Sequence, residues 1–301
     1  MEITFASYQQ EGLLSVVQFL TAQKNTVDYL SLNEAISLNK VSLKEKEGGA
    51  EVNSLYVVNL SNKPVFLMDG DILEGAKQNR VVNSSVLLAP ESKIDLPVSC
   101  VEQGRWRVVS DKFKSAEYSA PSKVRSNKSR SVSEMLAEES EYFADQGRVW
   151  DDVSEYNIVN NVNSNSDNLS DMYIQYKDKI EEVVKKFKSS KEANGFGIFV
   201  KNNLLSIDIF NRSGVAGKYF RKIIKGALFE VINLKQEENK LTKVEADYKT
   251  KDMLDQIEAL DYNEYKSVSL GKDRRYQSEK IAASELRYRN RLIHFSALNL
   301  D

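Results

Sequence analysis

"FLMDGDILEGAKQNR" (Phe66–Arg80) and "IDLPVSCVEQGRW" (Ile94–Trp106) are the two stretches on which the reading of this chain turns. In each, an apolar run opens directly into carboxylate, amide and guanidinium side chains. Val65, Phe66, Leu67 and Met68 are apolar in succession, the mark of a strand buried on both faces. Asp69, Asp71 and Glu74 follow, then Gln78, Asn79 and Arg80. After the second run come Glu102, Gln103, Arg105 and Trp106. Gly70, Gly75 and Gly104 permit tight turns and close backbone approach.

Around these stretches the first hundred residues are strand-like. "EITFASY" and "LLSVVQFL" flank a "QQEG" turn, "SLYVVNL" and "PVFLMDG" flank "SNK", and "VVNSSVLLA" and "IDLPVSCVE" flank "PESK". Each spacing predicts a hairpin. "LNEAISLNK" predicts a short helix capped by Asn33.

The middle changes character. Between Arg107 and Arg130 basic residues dominate, and between Glu134 and Glu155 acidic ones, so a basic loop facing an acidic helix and two solvated faces are both open. "SVSEMLAEESEYF" predicts a helix capped by Ser131 or Ser133. "NIVNNVNSNSDNLSD" reads as a polar loop, and "MYIQYKDKIEEVVKKFKSS" as an amphipathic helix with Ile174, Ile180, Val183, Val184 and Phe187 on one face.

In the last third, "FGIFVKNNLLSIDIF" predicts a hairpin at Lys201-Asn202-Asn203. Others are expected at Gly271-Lys272 and near Arg289-Asn290, with helices from about Val215 and over "TKDMLDQIEAL". The expected fold is α+β: a β-rich N-terminal sandwich or partly closed barrel, central helices, and C-terminal hairpins with helices. The organisation reads as 1–115 carrying the polar motif, 116–190 helical with the Asn-rich loop, and 195–301 α+β, integrated as one domain.

Composition narrows the chemistry. A hydrophobic content of 41% and a charged content of 29% fit a globular protein, and a net charge of −2 offers no basic field for nucleic acid. Cys100 and His294 are the only cysteine and histidine, which excludes the usual His/Cys zinc sites. Any metal would be a divalent cation such as magnesium or manganese on oxygen ligands. The N-terminus lacks the pattern of a signal peptide and no run is long enough to span a membrane, so a cytoplasmic location is expected.

Two readings of the polar motif stand side by side. In the first it is a pocket. Asp71, Glu74 or Glu102 acts as a base or metal ligand, Arg80 and Arg105 clamp a phosphate, Trp106 stacks on a base, and Asp69, Gln78, Asn79 and Gln103 complete the lining. In the second the residues are structural: Asp71 caps a turn, Arg80 pairs with Glu74, and Trp106 is a core aromatic. Cys100, inside an apolar strand, reads as inert. In "DQGRVWDDV", Gln146 and Trp150 share a helix face. His294 reads as a core histidine ahead of a catalytic one.

The wording of the motif adds a resemblance. Gly75–Arg80 ("GAKQNR") and Pro97–Trp106 ("PVSCVEQGRW"), with "SKVRSNK" (Ser122–Lys128) and "DQGRVW" (Asp145–Trp150), resemble the ARG- and rhodanese-phosphatase-superfamily-associated protein domain family. This is a prokaryotic and phage family of uncharacterised function. Asp71 stands where the family pattern has glutamate. The family's genomic association with ADP-ribosylglycohydrolase and phosphatase-like proteins implies an ADP-ribose-like or other nucleotide ligand; it supplies no catalytic residues to carry over. An enzyme on such a ligand and a non-catalytic ligand-sensing or protein-interaction module therefore both remain.

Overall fold

The computed structural model describes residues 1–22, 27–46, 53–105, 107–235 and 239–300. In chain order its strands are β1 (Ile3–Glu11), β2 (Leu14–Thr21), β3 (Leu30–Ser31), β4 (Val41–Lys44), β5 (Ser54–Asn59), β6 (Val65–Leu67), β7 (Asp71–Gly75), β8 (Arg80–Val82), β9 (Val86–Leu88), β10 (Ser92–Cys100), β11 (Phe113–Ser119), β12 (Gly195–Val200), β13 (Asn203–Phe210), β14 (Tyr262–Lys266), β15 (Lys272–Gln277), β16 (Ile281–Tyr288) and β17 (Arg291–Asn299). The helices are α1 (Leu32–Ser37), α2 (Ser122–Glu139), α3 (Gln146–Val159), α4 (Leu169–Val184), α5 (Ser213–Ala227) and α6 (Lys243–Glu258). The fold is α+β.

The largest sheet runs β1-β2-β12-β13-β17-β16-β15-β14, antiparallel throughout. The two ends of the chain thus share one sheet. It is covered on both faces, as β2 shows: Val16 enters a core with α4 and α5, and Val17 one with α6. The motif lies in two smaller sheets, β11-β7-β8-β10-β5-β4 and β3-β6-β9.

Four predicted hairpins form: β1 with β2, β12 with β13, β14 with β15, and β16 with β17. At the last, Arg289 and Asn290 adopt φ of 51° and 59°. The "SNK" and "PESK" connections are not hairpins. β5 pairs with β4 and β10, and β6 and β9 pair with each other in another sheet. The Asn59 side chain makes the corner: its amide donates to Lys63 O (2.9 Å) and Ala89 O (2.8 Å), and its oxygen accepts from Ser61 N (2.8 Å). A local side-chain turn has replaced the strand ladder.

Helix starts also differ. α1 is capped by Ser31 with Glu34 in a capping box, and not by Asn33. α2 begins after Pro121, nine residues before the expected Ser131. Ser131 and Ser133 point elsewhere, Ser131 Oγ accepting from Asp145 N (2.7 Å) and Ser133 Oγ donating to Ser129 O (2.9 Å). The supposed basic loop is therefore β11 and the first half of α2, with Arg125 and Lys128 turned inward. On α4, Ile180, Val184 and the following Phe187 are buried, but Ile174 is 68% exposed. Gln146 and Trp150 do share α3. The Gln146 amide pairs with the Cys100 backbone, donating to its O (2.8 Å) and accepting from its N (2.7 Å).

Candidate functional site

The motif residues divide among three polar networks. Asp69 and Asp71 do not point the same way, because Gly70 between them adopts φ 83° and breaks the extended backbone. A Cβ at Gly70 would come within 2.9 Å of the Arg125 side chain, so glycine also lets α2 close onto this turn.

The first network is fully buried. Arg125 lies between two carboxylates, with Nη2 at 2.7 Å from Asp208 Oδ1 and 3.2 Å from Asp69 Oδ2, and Nη1 at 3.1 Å from Asp208 Oδ2. Lys128, one turn along α2, bonds Asp69 and donates to Asn83 O (2.7 Å). Burial alone would raise the Asp208 carboxyl, but Arg125 and His294 hold it down to about 2. Asp69 is held below its ordinary value in the same way by Lys128 and Arg125, against burial.

Ser85 and His294 extend this network. Ser85 Oγ accepts from Asp69 N (3.0 Å) and shares a hydrogen bond with His294 Nδ1 at 2.8 Å, while His294 Nε2 lies 3.3 Å from Asp208 Oδ1. The order Ser–His–Asp is that of a hydrolytic triad. Three facts oppose that use. Ser85, His294 and Asp208 are 7%, 1% and 0% exposed, both Asp208 oxygens are bonded to Arg125, and the Ser85 oxygen already takes a backbone N–H. As it stands, the chain of bonds ties the motif turn to α2, β13 and β17.

The second network joins Asp71 to α5. Asp71 accepts from Met68 N (2.9 Å), pairs with Lys222, and lies 3.4 Å from the Tyr219 hydroxyl. Closing the Met68–Asp71 turn is the structural role that the second reading assigned it.

The third network gathers the remainder. Arg105 forks onto Glu102, Nε to Oε1 at 2.7 Å and Nη2 to Oε2 at 2.6 Å. Its other bonds run to Ala76 O (2.7 Å), Arg107 O (3.2 Å), Gly75 O (3.3 Å) and Asn79 Oδ1 (3.3 Å). Asn79 donates from N to Glu102 (3.1 Å) and from Nδ2 to Asn168 (3.1 Å) and Ser170 (3.0 Å). Glu74 accepts from Tyr118 (3.0 Å) and Ser170 (3.1 Å). Gln78 donates to Glu102 O (2.9 Å) and accepts from Arg80 (3.1 Å).

Arg80 does not pair with Glu74. It donates to Gln78 and to the Cys100 thiol (3.1 Å), and its Nη2 is 3.6 Å from Glu45. Burial pushes that thiol's pKa up despite Arg80, which fits the inert reading of Cys100. The Gln103 side chain is exposed, and Trp106 lies outside the described residues.

Sequence reasoning missed the partners: Arg125, Lys128, Asp208, Lys222, Tyr118 and Ser170. One signal was present. Asp208 stands between Ile207 and Ile209 in an apolar strand, and a charge so placed needs a buried counter-charge. Among the described residues no group of three or more His, Cys, Asp or Glu side chains is placed to hold a metal ion. Asp69, Asp71 and Glu102 each face a lysine or an arginine instead. No described helix is long and apolar enough to cross a membrane.

A large cavity, about 690 Å³, lies at the start of α5, lined by Tyr29, Glu34, Lys63, Arg212, Gly214 and Lys218 among others, and by none of the motif residues.

Residues 2–298 match the family model described as the ARG and Rhodanese-Phosphatase-superfamily-associated Protein domain. No curated protein and no solved structure matches the chain.

Proposed function

The chain belongs to the ARG and Rhodanese-Phosphatase-superfamily-associated Protein domain family, and we propose that it acts as a non-catalytic, ligand-binding module whose family motif is an internal frame. The observation that carries this reading is the state of Arg105. All three guanidinium nitrogens are engaged, on Glu102, Asn79 and the backbone carbonyls of Gly75, Ala76 and Arg107. An arginine so occupied has no edge left for a phosphate. The ligand class is a nucleotide-like small molecule, which rests on the association behind the family's name.

A thermal-shift series over nucleotides and ADP-ribose, with and without magnesium, tests this. A stabilising ligand should shift the Arg105→Ala variant as much as the wild type, although the variant starts from a lower Tm. Loss of the shift in a folded Arg105→Ala protein would return the motif to the role of binding pocket.

A second reading, a hydrolase using Ser85, starts from the order of contacts Ser85–His294–Asp208. It requires Asp208 to leave Arg125 and the core to open. Labelling by a fluorophosphonate in the wild type and not in Ser85→Ala would establish it.

A further inference from the structure

The cavity at the start of α5 brings two buried donors without acceptors together at one open space, whereas the unpartnered Arg80 Nε of the motif lies in none of the described pocket linings. Tyr29 is 2% exposed, and its hydroxyl has no hydrogen-bond partner. Burial pushes the Tyr29 phenol's pKa up, so it stays a donor even with the Arg212 guanidinium beside it. That guanidinium lies over the Tyr29 ring, 4.5 Å from its centroid. Arg212 Nη2 donates to Tyr29 O (2.7 Å) and Nη1 is 3.6 Å from Asp28, but the buried Nε has no partner. Buried polar atoms are rarely left unsatisfied, and such a pair at one cavity is where an absent acceptor belongs.

The helix start adds two more donors. α5 is capped by Arg212, whose side chain cannot accept a hydrogen bond. The Arg212 carbonyl takes the N–H groups of Val215 (3.1 Å) and Ala216 (3.0 Å). Ser213 and Gly214, the first two helical residues, have no intrahelical acceptor for theirs. A Cβ built on Gly214 meets nothing within 4 Å, so the space over this turn is open. α1, on the same cavity, shows the contrast, because its own Glu34 accepts from Ser31 N (2.9 Å) and closes its first turn.

The charges facing the cavity balance. Lys63 and Arg212 flank Asp28, Lys218 pairs with Glu34, and Glu192 is the third acid. What remains unmet is a set of oriented N–H and O–H donors, which suits an acceptor-only group. We propose that this cavity binds the oxyanion of a small phosphorylated molecule. The Tyr29 hydroxyl, Arg212 Nε and the first two amides of α5 donate to the phosphate oxygens, and the helix dipole favours the charge. A volume of about 690 Å³ exceeds what a free phosphate needs and fits a ligand of nucleotide size. This names the site for the module proposed above and rests on that reading.

The test uses the full chain with inorganic phosphate, adenosine monophosphate and ADP-ribose as probes, read by titration calorimetry against chloride at equal ionic strength. Saturable binding of a phosphorylated probe is expected. Tyr29→Phe, which keeps the ring, should weaken it about tenfold. Gly214→Asp places a carboxylate in the open space, where it competes for the same donors. It should abolish binding while leaving Tm unchanged or slightly raised. If no probe binds the wild type beyond the chloride control, the site and the ligand-binding reading both fall. If a probe binds but both variants bind it equally well, this site is overturned and the module reading stands.

Discussion

Two arginines separate the two regions of this molecule. Arg105, in the motif, has Nε and both Nη groups bonded to a carboxylate, an amide and three carbonyls. Arg212, at the cavity, has one hydrogen bond and a buried, unpartnered Nε beside an unpartnered phenol. Both residues are charged, and both sit near an acid. The difference teaches that residue type marks a polar site but cannot say whether it is complete in itself. Only the inventory of donors and acceptors does so.

The comparison can be broken most directly at the buried clamp. Arg125→Ala leaves Asp69 and Asp208 buried without their shared guanidinium and should cost about 3–5 kcal/mol in urea unfolding. Retention of wild-type stability would mean that the motif turn is not held as described. Arg105→Ala removes a fork that is 13% exposed on the arginine side and should cost less, about 2–3 kcal/mol.

The clamp also sets an acid limit. Asp208 is ordinarily near 3.8 when unfolded and about 2 when folded. A depressed carboxylate contributes stability that is complete above the unfolded value and is lost as pH falls through the folded one. Asp69 is depressed in the same direction. Unfolding free energy should therefore drop between about pH 4 and pH 2, and the drop should shrink in Asp208→Asn relative to that variant's own value at neutral pH. An unchanged slope would remove Asp208 from the account.

The smallest effect is the sharpest discriminator. The Tyr118 hydroxyl lies 2.6 Å from Ser170 Oγ and 3.0 Å from Glu74 Oε1, so Tyr118→Phe should cost about 1–2 kcal/mol. Tyr29→Phe removes a hydroxyl with no partner and should be neutral or stabilising by a few tenths of a kcal/mol. Equal losses in the two variants would mean that the Tyr29 hydroxyl is satisfied in solution without a ligand.

Some of this was legible in the chain. The α+β class, the four hairpins and the polar character of Asp69–Arg80 and Glu102–Arg105 follow from local pattern, because alternation, turn residues and glycine positions act over a few residues. The "SNK" and "PESK" connections were misread because hairpin spacing does not specify a partner. Asn59 turned the corner with its own side chain. α2 was read too late in the chain because serines suited to capping were used sideways.

The site divides along the same line. The sequence by itself determined which polar groups the motif presents, and that they lie at the ends of buried strands. It also excluded a His/Cys metal centre, since one cysteine and one histidine cannot form one. Tertiary structure alone decided that Asp69 meets Arg125 and Lys128 from α2, that Asp71 meets Lys222 from α5, and that Tyr29 and Arg212 share a cavity. Those pairs are separated by 56, 59, 151 and 183 residues. The desolvation of a charge is settled only when distant elements close over it, and no local pattern carries that information.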